Sequence, residues 1–404
     1  MNPEKKLSLS ETIKQIEQYI EAPGQCPLRY IQAVVGSINP KYTAIALAHI
    51  GGEGIVIKSL DETKEKICLK IARTDAQLPP TTRAVNIYKL LRHKKEENLN
   101  VLAERFKEGA IIQRRLYKEI VSEKINFFSI PQIQSIATSP LLYMQMEWVE
   151  SPNILFWLNK KNSLTYSMSV FLKLLGAVRF WHERGIIHRD LKSENILIGE
   201  KDSVVILDWN LSKEIGDRGL TVPGTAGGTV GYAPIKFMKD GDFSRANYLD
   251  DIYSLGFVFW EFVTQKKLPL LPREEYSDRK IEEYRKYLVT FLPDIAQPIF
   301  WKATEQKEKG RYRQVKEFQE DIHGIIEYLK ENIVASDVFV PSVFEEVNEV
   351  DQIVDTSSSV LDRDIEEITK CKECGICKGA FPCVALRKEI LEIVFKMKEK
   401  GILS

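Results

Sequence analysis

The sequence predicts an α+β protein of two lobes, a small β-rich one followed by a larger helical one, with a small cysteine-rich module at the C-terminal end. Three observations predict it. Between Tyr42 and Arg73, β-prone runs alternate with turns (YTAIALAHI, GGEG, IVIKSL, DETKEK, ICLKIA), the pattern of consecutive antiparallel strands. After Ser151 the character changes: Val170, Leu174, Val178 and Trp181 recur at the spacing of one buried helix face, and helices dominate to about residue 330. Finally, four of the six cysteines fall between Cys371 and Cys383, too few for a disulfide scaffold but dense enough for metal or redox chemistry.

Composition narrows the function classes. Apolar residues make up 44% and charged residues 28% of the 404, the shares of a globular chain, so wholesale disorder and a coiled-coil rod are excluded. Lys+Arg and Asp+Glu both total 57, so no overall basic field attracts nucleic acid or an anionic membrane. The most apolar stretch, Leu255 to Val263, is interrupted by Glu261, and no run approaches the ~18–20 residues of a spanning helix. The start, MNPEKKLSLSETIK, lacks the apolar core of a secretory signal, and a cytoplasmic protein is expected.

The elements follow in order. Residues 1–41 form a helical extension, with Ile13, Ile16 and Ile20 at helical spacing behind a Ser10/Glu11 start. Residues 42–150 form the small lobe: the strands above, an interruption at Pro79 and Pro80, a helix carrying Glu108, Ile111, Ile112 and Leu116, then apolar runs centred on Ile133 and Leu142. Residues 151–332 form the large lobe. Residues 333–369 read as a flexible linker, since 337–367 hold ten acidic residues and one basic residue, Arg363. Residues 370–404 hold the cysteines and a last helix with Leu386, Ile390, Ile393 and Met397 on one side.

Two segments carry the chemistry: GIIHRDLKSENILI, Gly185 to Ile198, and VVILDWN, Val204 to Asn210. They resemble the catalytic loop and metal-binding segment of eukaryotic-type (Hanks-type) Ser/Thr protein kinases. The pattern H-R-D-L-K-x-x-N is met by His188, Arg189, Asp190, Leu191, Lys192 and Asn195, and a strand-borne Asp208 follows. The resemblance covers about residues 42–330. It implies a bilobal protein-kinase-like fold and transfer of the γ-phosphate of ATP, with Mg²⁺, to Ser/Thr of protein substrates. Phosphoryl transfer needs the acceptor hydroxyl in line and the phosphate charge neutralised. By the resemblance, Asp190 takes or orients the hydroxyl proton, Lys192 balances the transferring charge, and Asn195 and Asp208 are the hard oxygen ligands of Mg²⁺.

The small lobe supplies matching parts. Lys70 in ICLKIA resembles the strand lysine that holds the α- and β-phosphates, with Glu108 as its helix partner and Glu104 next in line. Gly51 and Gly54 resemble the second and third glycines of the phosphate loop, and His49 stands where the first would be. Val56, Cys68 and Leu197 would sandwich adenine, Met146 would border it, and the Glu147 carbonyl and Val149 amide would bind it. GGTVGYAP, Gly227 to Pro234, resembles the end of an activation segment, in which Thr229 would contact Asp190 and Lys192. Asp251 in DIYSLG resembles the aspartate that holds the catalytic-loop backbone, and Arg311 the late structural arginine. Arg189 implies a phosphate acceptor on the activation segment, Thr221 and Thr225 ahead of Ser212. Self-association for autophosphorylation is a further implication.

Two departures stand out. Asp208-Trp209-Asn210 lacks the glycine pivot of D-F-G, and Lys236 stands where the family carries glutamate, which removes the expected partner of Arg311. With His49 in place of the first glycine, they keep a pseudokinase scaffold open as an alternative. LDWN resembles small-molecule phosphotransferases of the aminoglycoside/choline kinase type, although those usually read H-G-D rather than H-R-D. In the tail, Cys371, Cys374, Cys377 and Cys383 form a C-x₂-C-x₂-C-x₅-C array, close to a ferredoxin run, so a [4Fe–4S] cluster is expected, with Zn²⁺ as the alternative. The cluster would serve either as a regulatory module on the acidic linker or simply to fold the tail.

Overall fold

Two short helices open the chain, α1 (Leu9–Glu17) and α2 (Leu28–Ile38), and neither is long enough to be stable alone. The computed structural model describes residues 7–20, 22–51, 54–72, 95–160, 162–215, 229, 231–240, 246–269, 271 and 277–332. The acidic linker, the four tail cysteines, Thr221 and Thr225 lie outside the described residues. The N-cap of α1 is Ser8 rather than the expected Ser10: Ser8 accepts the Glu11 N–H, and the Glu11 carboxylate accepts the Ser8 N–H at 2.8 Å. This reciprocal box satisfies donors that a start at Ser10 would leave open.

Five antiparallel strands make the sheet of the small lobe: β1 (Thr43–Ile50), β2 (Gly54–Leu60), β3 (Lys66–Ala72), β5 (Ile133–Ala137) and β6 (Tyr143–Glu147), in the order β1-β2-β3-β6-β5. The last strand is centred on Gln145 rather than Leu142. Strand alternation sends Ile67, Leu69 and Ile71 of β3 to one face and Cys68 and Lys70 to the other. Both faces are covered. The long helix α3 (Lys95–Ser122) places Phe106 and Ala110 against Cys68, Met144 and Met146. On the opposite face, Ile16, Ile31, Val34 and Val35 of the two opening helices pack on Leu47, Ile57, Leu69 and Ile71. The extension also joins the sheet through its backbone: Gln32 Nε2 donates to the Tyr42 carbonyl at 3.0 Å, and Gln32 Oε1 accepts the Ala44 N–H at 2.8 Å. α1 and α2 therefore contribute to the lobe's core, and β3 reads as a nearly unbroken apolar run because it is buried twice over.

The large lobe packs α4 (Ile154–Leu158), α5 (Leu164–His182), α6 (Ile235–Asp240), α7 (Tyr248–Thr264), α8 (Asp278–Val289), α9 (Gln297–Ala303) and α10 (Val315–Asn332) around one core. Val170, Leu174, Val178 and Trp181 are all fully buried on α5. Short strands at its upper edge carry the catalytic segments: β4 (Phe128–Ser129), β9 (Val204–Ile206) and β8 (Ile196–Ile198) form one sheet, and β7 (Ile186–Ile187) pairs with β10 (Lys213–Glu214). Residues 188–195 join β7 to β8, and Asp208 follows β9. Among the described residues, no helix is long and apolar enough to cross a membrane.

Helix α7 is buried along both sides from Asp250 to Thr264, as an all-round apolar helix must be. The acid that interrupts it, Glu261, is fully enclosed, and its Oε1 accepts the Tyr232 hydroxyl at 2.8 Å, the Leu268 N–H at 2.9 Å and the Ser193 hydroxyl at 3.1 Å. Burial pushes its carboxyl up to about 8.

Two outcomes are expected. Ile31→Ala, at a position 2% exposed, should destabilise the protein by about 2–5 kcal/mol in denaturant titration, whereas an extension that merely rode on the lobe would leave stability unchanged. Because the folded pKa of Glu261 is raised, its contribution is fully present below the ordinary glutamate pKa of about 4.3 and is lost as pH rises through about 8. Glu261→Gln, which keeps the accepting oxygen and cannot ionise, should flatten the fall in melting temperature between pH 5 and 9.

Candidate active site

The catalytic loop is held from below by a buried carboxylate. Asp251, at the start of α7 and fully enclosed, accepts the backbone N–H groups of His188 (2.9 Å) and Arg189 (2.8 Å), His182 Nε2 (2.8 Å) and the Trp181 indole N–H (3.4 Å). Burial works against its charge, but these donors hold the carboxyl below the usual range. Arg189 is thereby kept at φ +67°, in the left-handed region. His188 Nδ1 accepts the Asp190 N–H at 3.3 Å, so its Nε2 carries the proton and donates to the Leu207 carbonyl at 3.1 Å.

These bonds place Asp190 at the centre of a converging set. Lys192 Nζ lies 2.9 Å from Asp190 Oδ2, and the Thr229 hydroxyl donates to Oδ1 at 2.9 Å. Lys192 also donates to Thr229 Oγ1 at 2.8 Å, and Asn195 Nδ2 donates to the Asp190 carbonyl (2.8 Å) and to Oδ2 (3.1 Å). Partial burial opposes the Lys192 charge, yet Asp190 keeps the ammonium above its usual range. Opposite, Lys70 Nζ sits 2.7 Å from Asp208 Oδ1 across the two lobes. Partial burial opposes ionisation of Asp208 as well, but the charge and hydrogen bond of Lys70 hold it down at about 2. With its Nδ2 spent on Asp190, Asn195 has Oδ1 left, and with the Asp208 carboxylate it makes a hard-oxygen donor set that fits Mg²⁺.

The phosphate side is a hairpin. The Gly51 N–H donates to the Gly54 carbonyl at 2.8 Å, which closes the turn between β1 and β2. A Cβ at Gly54 would meet the Ile71 carbonyl oxygen at 3.0 Å and the Lys70 side chain at 3.5 Å, so glycine there lets β2 lie directly over the lysine. His49 stands at the end of β1, where desolvation of its ring, aided by the positive charge of Lys192, lowers its pKa. On the adenine side, Val56 stands opposite Lys70 and Cys68 opposite Met146 in the sheet register. Burial pushes the Cys68 thiol up to about 12, so it stays a neutral thiol on this face of the sheet. Leu197 is half-buried between enclosed Ile196 and Ile198 and faces away from the large-lobe core. Glu147 and Val149 lie in the half-buried segment that joins the lobes, where the Glu147 side chain accepts the Gln132 N–H at 3.0 Å.

Several expectations shift. Glu108 was expected beside Lys70; the structure places it on the exposed side of α3, because the buried stripe is Arg105, Phe106, Gly109, Ala110, Ile112, Gln113 and Leu116, and the carboxylate on Lys70 is Asp208. Glu104 is exposed too. Lys236 does not strip Arg311 of acid. Arg311 Nη1 lies 3.6 Å from Asp250, and its guanidinium donates to the carbonyls of Leu249, Glu305 and Gln306. Lys236 Nζ itself pairs with Asp250 and Glu308, each at 2.7 Å, so the charges are exchanged and the anchor is kept. Trp209 fills the aromatic slot, with its ring edge-on to His188 (4.8 Å) and Trp181 (5.2 Å) and its indole N–H donating to the Ile206 carbonyl at 3.3 Å.

Gly109, Asp250, Ser193 and Tyr232 do not stand out in the sequence, and Glu261 stands out only as an interruption of an apolar run. Two signals were present: a lone acid inside a nine-residue apolar run demands partners, and an isolated glycine within a helix signals close approach.

Comparison with known proteins agrees with this geometry. Residues 50–332 match the family model described as the protein kinase domain. Similar curated proteins include the serine/threonine-protein kinase PknD of Chlamydia pneumoniae, 25% identical over 310 residues that cover 70% of this chain and 31% of that protein. A probable serine/threonine-protein kinase of Clostridium perfringens is 27% identical over 56% of this chain and 34% of its own length. The probable serine/threonine-protein kinase PknB of Lactococcus lactis is 26% identical over 45% and 29%. The chain thus spans about a third or less of the length of these curated relatives. With most of its length matched by the domain model, and with the catalytic loop, strand lysine and metal-segment aspartate converging on one cleft, this chain belongs to the protein kinase family.

Proposed function

We propose that the protein is an ATP-dependent serine/threonine protein kinase. The observation that carries this reading is the convergence of Lys192, Asn195 and Thr229 on Asp190, facing the Lys70–Asp208 pair. Asp190 orients a substrate hydroxyl and receives its proton as the oxygen attacks the γ-phosphorus; the bond from that phosphorus to the β–γ bridging oxygen breaks, and ADP leaves with the electron pair. Lys192 neutralises charge on the transferring group, and Lys70 holds the α- and β-phosphates. Asn195 Oδ1 and Asp208 would hold Mg²⁺, which would supply charge neutralisation at the phosphates. The Ser/Thr preference is supported by Lys192 two residues after the aspartate and by the names of the relatives. Thr221 and Thr225 are the proposed activating phosphosites, modified by a second copy of the chain, and the protein acts in the cytoplasm on protein substrates.

For the tail, we infer that Cys371, Cys374, Cys377 and Cys383 bind a [4Fe–4S] cluster, on the strength of three thiolates at successive intervals of three. Held on an acidic linker, such a module regulates the kinase or its choice of substrate.

Lys70→Met and Asp190→Ala should each abolish Mg·ATP-dependent autophosphorylation with the melting temperature preserved, and the wild-type product should be phosphothreonine at Thr221 or Thr225. Phosphotyrosine as the main product would overturn the acceptor class. Anaerobically purified full-length protein should show iron and a broad absorbance near 400 nm, both lost in Cys374→Ser/Cys377→Ser; zinc without iron would replace the cluster by a zinc site.

A further inference from the structure

Gly109 lies mid-way along α3, on its buried stripe. A Cβ built there would stand 2.7 Å from Asn210 Cα and 2.9 Å from the Trp209 carbonyl carbon, and closer still to the Trp209 oxygen. Real Cβ atoms essentially never come within 3.0 Å of a non-bonded heavy atom beyond their chain neighbours, so the helix and the segment that carries Asp208 meet main chain to main chain. Neither side can swing away as the end of a side chain can.

The segment is also fixed from behind. The Trp209 carbonyl accepts the Ser212 N–H at 3.0 Å and the Ser212 hydroxyl as well. Its indole is wedged against His188 and Trp181. Further along, Arg115 of α3 pairs with Glu214 at 2.6 Å. Asn210 is 4% exposed, and its Nδ2 has no hydrogen-bond partner among the described residues. A glycine inside a helix costs roughly 1 kcal/mol relative to alanine, and α3 recovers nothing for it within the helix itself. What glycine allows is contact with the residues directly after Asp208. Where the family pattern places its glycine in the segment, this chain has Asn210 and places the glycine on the facing helix.

We propose that Gly109 is a positioning residue: by letting the α3 main chain bear directly on Trp209–Asn210, it fixes Asp208 against Lys70 and so sets the geometry in which the protein binds Mg²⁺ with nucleotide. This rests on the kinase reading above. Because the segment is tied, any side chain at position 109 displaces the helix and the aspartate relative to each other.

The test uses the full chain, with melting temperature, turnover, and calorimetric ADP affinity measured in EDTA and in Mg²⁺. Gly109→Ala should lower turnover about 10²-fold and shrink the Mg²⁺-dependent gain in ADP affinity about tenfold, with metal-free affinity kept within about twofold, the signature of an ångström-scale misplacement. Gly324→Ala, on α10 with open space around it, should change none of these. Should Gly109→Ala fail to fold, Ser212→Ala, which removes one tether, should reduce the Mg²⁺-dependent gain severalfold. A full Mg²⁺-dependent gain in the variant measured, or equal loss of metal-free and Mg²⁺-bound affinity with a lowered melting temperature, overturns the proposal. Wild-type protein that binds Mg·ADP normally but transfers no phosphate would instead sink the kinase reading and leave the binding measurements to judge Gly109.

Discussion

The site depends on one buried carboxylate. Asp251 is enclosed by protein, and a buried charge without partners would cost more than the fold's whole margin of stability. Its oxygens therefore take donors from two directions: Trp181 and His182 on α5, and the His188 and Arg189 amides of the catalytic loop. This satisfies the acid and also sets the loop. A backbone in the left-handed region at Arg189 costs on the order of 1–3 kcal/mol, and it persists because the alternative would strip donors from Asp251. From that bend the direction of Asp190 follows, and from Asp190 the positions of Lys192, Asn195 and Thr229. Asp208 has the same left-handed backbone at φ +60°, so both aspartates of the cleft are presented by strained main chain that its surroundings hold in place.

What could be read from the chain alone follows the distance over which each feature acts. His188 to Asn195 and Asp208 were legible because the chemistry needs several polar groups on one short loop and one following strand end. Lys70 was legible because it is the one cation in the buried part of β3, whose other lysine, Lys66, lies exposed at the strand's start. The pairing of β1, β2 and β3 was legible from turns that allow little else. The docking of α1 and α2 was not, since an apolar stripe at Ile13, Ile16 and Ile20 shows that a face is buried without showing what covers it. Glu108 was placed beside Lys70 on helix spacing, but the rotation of α3 is set by the packing of Phe106, Gly109 and Ala110, which no local pattern reports. Nor could local pattern join Ser193, Tyr232 and Glu261, which lie far apart in sequence and share one oxygen.

The two lobes present their halves of the site differently. The small lobe offers Lys70 from a sheet sandwiched between α3 and the opening helices, so the lysine's backbone has packed atoms on each side. The large lobe offers Asp190 from a loop whose shape is set by hydrogen bonds. The Lys70–Asp208 pair joins these two frames at a distance of 2.7 Å.

The exchange of charge at Lys236 bears on how such domains recombine. In most members of the family a glutamate at this point seeks an arginine; here a lysine seeks Asp250 and Glu308, and Arg311 shares the first of them. An activation segment borrowed from a relative with the usual glutamate would bring a third acid against those two. The segment and its socket are thus keyed to one another by polarity, and a swap of the segment alone would have to carry its matching charges with it.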